Sequence, residues 1–195
     1  MFDLNYEKIK EELSGKLSKD RYIHTNAVAY TAACLAMKYD CDIHKAYLAG
    51  LLHDCAKWIK GDKYIEKANK AGLEINPSEY ESPQLLHAKL GAYYAKENYN
   101  VCDEDILNAI KVHTTGKPDM NKLEMILYVA DYIEPGRDKA IRLNEIRKIA
   151  FEDIELAVYM ILEDTLNHIK SKEYALDPIT EETYNFYKEK IDGRD

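Results

Sequence analysis

No apolar run in the sequence approaches the ~20 residues needed to cross a bilayer as a helix. The first residues also lack the basic-then-apolar order of a secretory signal. Cysteine is scarce: Cys34, Cys41, Cys55 and Cys102 form no CxxC pair, which excludes a disulfide scaffold or a zinc ribbon. These absences predict a cytoplasmic protein with reduced thiols. Positive charge is short as well. Lys and Arg number 27 against 35 Asp and Glu, a net charge of −8, so long-range repulsion disfavours nonspecific binding to nucleic acid or to an anionic membrane. A small polyanion stays compatible, because a local cation cluster overrides the global sign. One tryptophan and three phenylalanines against sixteen tyrosines predict a core with amphipathic edges.

Strict apolar–polar alternation is missing too, and helical periodicity takes its place, so the fold class is all-α. Helices are predicted over about 4–17, 20–39 (with Asp20 as N-cap), 42–58 (capped by Asp42) and 63–71, the last stopped by Gly72. Asn76-Pro77-Ser78 reads as a loop, and Ser82-Pro83 as the start of the next helix. Acidic residues 103–105 open a helix ending at His113, and Thr114-Thr115-Gly116-Lys117-Pro118 breaks the chain. Helices over 121–134, 142–172 (broken near Phe151) and 180–191 complete it. No repeat or linker divides the chain, which reads as one domain of 195 residues.

Against that frame His24, His53, Asp54, His87, His113 and Asp131 stand out, and they include four of only six histidines. Each histidine alone is most simply a satisfied core residue. The pair His53-Asp54 is different. It lies directly behind the apolar run 46–52, where a carboxylate is costly unless its charge is compensated. Asp131, inside the apolar run 127–133, poses the same problem. A cation held by imidazole and carboxylate ligands resolves both, with iron, manganese or zinc suited to that set. Cys55 reads as a packing residue, and His44 and His168 as surface residues. Cations accompany the set: Arg21 a turn before His24, Lys57 four residues after His53, Lys117 after His113 and Arg137 after Asp131. A metal ringed by Arg and Lys points to an anionic ligand, most simply phosphate.

At these residues the chain resembles the HD-domain superfamily of metal-dependent phosphohydrolases, whose pattern is H…HD…D: His24, His53-Asp54 and Asp131 fall into it in order. Leu51-Leu52-His53-Asp54-Cys55-Ala56-Lys57, His113-Thr114-Thr115-Gly116 and the run from Tyr128 through Asp131 and Glu134 to Arg137 look like the YqeK family within it. The resemblance implies a helical bundle with an HD core over about 20–135 and C-terminal helices over about 142–191 packed on it. It also implies symmetrical cleavage of diadenosine tetraphosphate to two ADP by direct attack of metal-bound water. The same family analogy assigns His24, His53, Asp54 and Asp131 as ligands of iron, one ion or two, with manganese or another divalent cation as substitute. His87 and His113 would take a second metal beside Asp54, these three being the catalytic set. Arg21, Lys57, His87, His113, Thr114, Asp131 and Arg137 would hold substrate, segment 174–179 would lie near the nucleoside, and the assembly would be a homodimer. The alternatives are an HD phosphohydrolase acting on another nucleotide and a noncatalytic metal- or nucleotide-binding regulatory module.

Overall fold

Side-chain caps set most of the helix starts. The computed structural model describes residues 5–172 and 176–194, and among them eleven α-helices and one 3-10 turn occur, with no strand. Asn5 caps α1 (Tyr6–Lys16); Leu4, the expected start, lies outside the described residues. The Ser18 hydroxyl accepts from the Arg21 N–H and opens α2 (Lys19–Lys38), so the cap is Ser18 and Asp20 falls in the first turn instead. Asp42 caps α3 (Ile43–Leu52) through the N–H groups of His44 and Lys45.

Helix α3 stops at Leu52, six residues before the expected end. Residues 53–58 continue as tight turns, with i to i+3 bonds such as Cys55 N–H to Leu52 O and Lys57 N–H to Asp54 O. After α4 (Lys63–Lys70), the expected loop at 76–78 is in fact a short helix, α5 (Pro77–Glu81). Its start is a capping box in which the Glu79 carboxylate accepts the Asn76 N–H. Ser82 makes no side-chain cap; Pro83–Leu86 is a 3-10 turn that runs straight into α6 (His87–Tyr99). Next come α7 (Glu104–Val112), capped by Asp103, and α8 (Lys122–Ile133), opened by an Asn121–Glu124 capping box. The predicted interruption near Phe151 separates α9 (Leu143–Ile149) from α10 (Ile154–Lys172), and α11 (Pro178–Asp192) follows.

Helices α2, α3, α7 and α8 pack at the centre through Val28, Leu51, Ile110 and Ile126, all fully buried. The C-terminal helices are keyed onto this core. Tyr187 accepts the Met120 N–H at 3.1 Å, and Tyr39 donates to Ala150 O at 2.8 Å. No helix among the described residues is long and apolar enough to cross a membrane.

Helices α2 and α3 touch at backbone distance. A Cβ on Gly50 would lie 2.6 Å from Ala29 Cα, so the crossing tolerates no side chain there. Gly50→Ala is therefore expected to destabilise the protein by about 1–3 kcal/mol despite the better helix propensity of alanine. Urea unfolding reads this directly; an unchanged or raised midpoint would mean that the helices part without cost. His53 sits one turn beyond this contact, so the same packing sets its position.

Candidate metal centre

One local device orients three of the histidines. His53 ends α3, His113 ends α7 and His87 follows the 3-10 turn, and the Nδ1 of each meets the carbonyl three residues back. These are His53 to Gly50 O at 2.7 Å, His87 to Gln84 O at 2.6 Å and His113 to Ile110 O at 2.6 Å. A carbonyl only accepts, so Nδ1 carries a proton and Nε2 is the atom left to face the centre. His24, on α2, reaches the same state differently: its Nδ1 lies 3.1 Å from a carboxylate oxygen of Glu134.

All four Nε2 atoms converge on Asp54 and Asp131. Asp54 Oδ2 is 3.8 Å from His24 Nε2 and 3.5 Å from His53 Nε2, and its Oδ1 is 3.4 Å from His87 Nε2 and 3.8 Å from His113 Nε2. Asp131, on α8, places Oδ1 3.0 Å from His24 Nε2 and 4.0 Å from His53 Nε2. His24, His53 and Asp131 bring ligand atoms within 4.8 Å of one another, and so do His53, Asp54 and His113. His53 and Asp54 both face this centre from the turn that follows Leu52.

A cation fits these donors. His24 Nε2, His53 Nε2 and Asp54 Oδ1 are buried without a hydrogen bond. The Nε2 atoms of His87 and His113 lie 3.1 Å apart, and both carry lone pairs if both Nδ1 atoms hold the protons. Thr114 Oγ1 is 3.2 Å from one and 3.3 Å from the other, but its single hydrogen serves only one of them. The remaining electron density calls for positive charge.

Residues 21–136 match the HD domain family. The chain belongs to that family. The H…HD…D pattern of this HD domain is the cluster just described. The chain is 36% identical over 183 residues to a Bacillus subtilis protein named symmetrical bis(5′-nucleosyl)-tetraphosphatase, covering 94% of this chain and 97% of that one. A Staphylococcus aureus protein of the same name is 35% identical over 186 residues, covering 94% and 95%. A solved HD superfamily hydrolase from Clostridium acetobutylicum, described as involved in NAD metabolism, superposes with a TM-score of 0.92 at 41% identity. It covers 95% of this chain and 98% of its own.

Burial opposes charge on both carboxylates of the HD centre, yet their neighbours prevail. His53, His87 and His113 hold Asp54 well below the usual carboxylate range, and His24 and His53 do the same for Asp131. Burial and the nearby Lys57 charge push His87 down to about 3, while burial and His53 push His113 down to about 4. Both imidazoles are thus neutral donors. Burial lifts the Cys55 thiol to about 12, and its Sγ–H contacts Gly91 O at 3.4 Å, in keeping with a packing role.

The cations divide. Arg21 Nη1 pairs with Asp54 Oδ2 at 2.6 Å and Arg137 Nη2 with Asp131 Oδ1 at 2.7 Å, so each guanidinium bonds a carboxylate of the centre. Lys57 is partly buried, and burial lowers its pKa. Lys117 turns away to the fully buried Glu124, 2.9 Å distant. Beside His24 a cleft of about 970 Å³ opens, lined by Arg21, Tyr132, Arg137, Lys139, Ile141 and His168 among others. His44 and His168 are both exposed, as expected, and His168 also lines this cleft. Asp177 and Ile179 line a separate 250 Å³ pocket with Thr114; Tyr174 and Ala175 of the segment expected near the nucleoside lie outside the described residues.

Glu134 is the residue that sequence reasoning missed. It is 2% exposed, holds His24 through one oxygen and accepts the Gly136 N–H through the other. A signal was available: an acid at a helix C-terminus opposes the dipole and needs a compensating partner.

Proposed function

We propose that this HD-domain chain hydrolyses diadenosine tetraphosphate symmetrically to two ADP, as a single cytoplasmic domain of residues 1–195. The observation that carries the reading is a centre of four inward Nε2 atoms and two ionised carboxylates, flanked by two arginines on the wall of a nucleotide-sized cleft. His24, His53, Asp54 and Asp131 would hold the cation, iron by the resemblance, with manganese or another divalent ion as substitute. His87 and His113 would hold a second ion together with Asp54. When bound, the cation would acidify a water and polarise a phosphoryl oxygen.

The chain's own groups do the rest. Arg21 and Arg137 exchange part of their carboxylate pairing for phosphate oxygens, and Lys57 adds a point charge from its partly buried position. These three cations offset charge that builds on the polyphosphate during reaction. Thr114 Oγ1, 3.2 Å from His87 Nε2 and 3.3 Å from His113 Nε2, is placed to orient water at that half of the centre. Asp54 stays anionic and bridges both halves of the centre rather than taking a proton. The homodimer implied by the resemblance is checked by light scattering.

Hydrolysis in isotopically labelled water tests the cut. Label is expected on one ADP per turnover, with almost no AMP or ATP. Equal amounts of AMP and ATP would mean an asymmetric cut and would overturn this reading while leaving the metal centre intact.

A further inference from the structure

Helix α8 ends at Ile133, and its last carbonyls have no intrahelical donors ahead of them. Pro135 deepens the shortage, since it brings no N–H. Arg147, partly buried on α9, fills it. Its Nε donates to Ile133 O at 2.9 Å, and its Nη2 donates to Glu134 O at 2.8 Å and Arg137 O at 3.0 Å. Arg147 forms no ion pair with a carboxylate among the described residues, so its fork is committed to three main-chain oxygens.

The helix that carries Arg147 is itself anchored. Leu143 and Ile146 are buried, and Arg142 just before α9 pairs with Asp164 at 2.6 Å and Glu163 at 2.8 Å on α10. The three clamped carbonyls straddle Pro135-Gly136, and the residues that own two of them carry side chains into the metal centre. Glu134 bonds His24 Nδ1, and Arg137 bonds Asp131 Oδ1. The 133–137 segment also walls the 970 Å³ cleft through Glu134, Gly136 and Arg137.

We propose that Arg147 is a positioning residue for the hydrolysis, fixing segment 133–137 so that Glu134 reaches His24 and Arg137 reaches the bound phosphates. It rests on the reaction proposed above for the arm that reads turnover, and on the centre's geometry alone for the arm that reads metal. Lysine is a poor substitute, because one ammonium cannot reproduce a planar fork shared by three carbonyls.

The test uses the full chain, metal-saturated, with Arg147→Ala and Arg147→Lys made both in the wild type and in an Arg137→Ala background. Arg147→Ala is expected to lower kcat/KM about tenfold in the wild type, less than the ~100-fold that a 1 Å misplacement can cost. In the Arg137→Ala background the same change should cost under about threefold, because residues acting through one another are not additive. Arg147→Lys should recover part of the loss, and it carries the comparison alone if Arg147→Ala does not fold. Equal losses in both backgrounds, or a lowered Tm with unchanged kcat/KM, would overturn the proposal and leave Arg147 a structural residue only. Should the wild type fail to cleave diadenosine tetraphosphate, the proposed function falls. Titration with manganese then decides Arg147: about tenfold weaker binding in Arg147→Ala supports the clamp, and unchanged binding refutes it.

Discussion

Asp54→Ala is expected to abolish metal binding and lower kcat/KM by about 10³-fold or more, at or beyond the upper end of what loss of one charge-stabilising group costs. Asp54 is 1% exposed and, among the described residues, is the only side chain that faces all four histidine Nε2 atoms, through two different oxygens. Its loss therefore uncouples His24 and His53 from His87 and His113. It also leaves Arg21 without its 2.6 Å partner at the mouth of the cleft. His53→Ala should behave similarly, since His53 belongs to both ligand groups. Both variants should keep their far-UV circular dichroism, because His53 satisfies only one last-turn carbonyl of α3 and neither residue fills the apolar core. Atomic absorption on purified protein gives the decisive number. A full complement of metal in Asp54→Ala would remove it from the ligand set. His44→Ala is the control: exposed on α3, it should change neither metal content nor activity.

The parts of this centre legible in the sequence were those where burial and charge conflict. Asp54 behind Leu51-Leu52 advertises a compensating cation because an isolated buried carboxylate is too costly to persist, whereas Asp131, inside 127–133, is only partly buried. The cap Asp42 was equally legible, since a short acceptor before an amphipathic run has one low-energy use, while the acids 103–105 marked the start of α7 without singling out Asp103 as its cap. Less legible was the end of α3. Propensity continues past Leu52, but in the structure 53–58 tighten to i to i+3 turns, a change that local propensity does not signal. The helix at Pro77–Glu81 hid for a different reason: Asn76-Pro77 resembles a turn opening, and only Glu79 three residues on marks it as a capping box. The pairing of Arg21 with Asp54 and the diversion of Lys117 to Glu124 lay beyond reach, since both join residues far apart in the chain or choose between equally placed acids.

Glu134→Ala should weaken metal affinity by about 10- to 100-fold, the usual cost of removing the group that orients a ligating histidine. The carboxylate holds the His24 ring by Nδ1, so its removal frees the ring to turn and Nε2 to leave the centre. It also leaves the Gly136 N–H without its acceptor, while Arg147 still holds the carbonyls of the turn that carries Arg137. Glu134→Gln should sit between the wild type and the alanine variant: an amide oxygen still accepts from Nδ1, but it carries no charge to raise the basicity of the imidazole. The expected signature separates this role from that of Asp54. Because Glu134 touches no metal and no phosphate, added manganese or iron should restore most of the activity of Glu134→Ala, whereas no concentration should restore Asp54→Ala. Titrating activity against metal for the three proteins reads both effects in one experiment. A Glu134→Ala curve that saturates at the wild-type metal concentration but at a far lower plateau would place Glu134 in the chemistry itself, and the orienting role would be wrong.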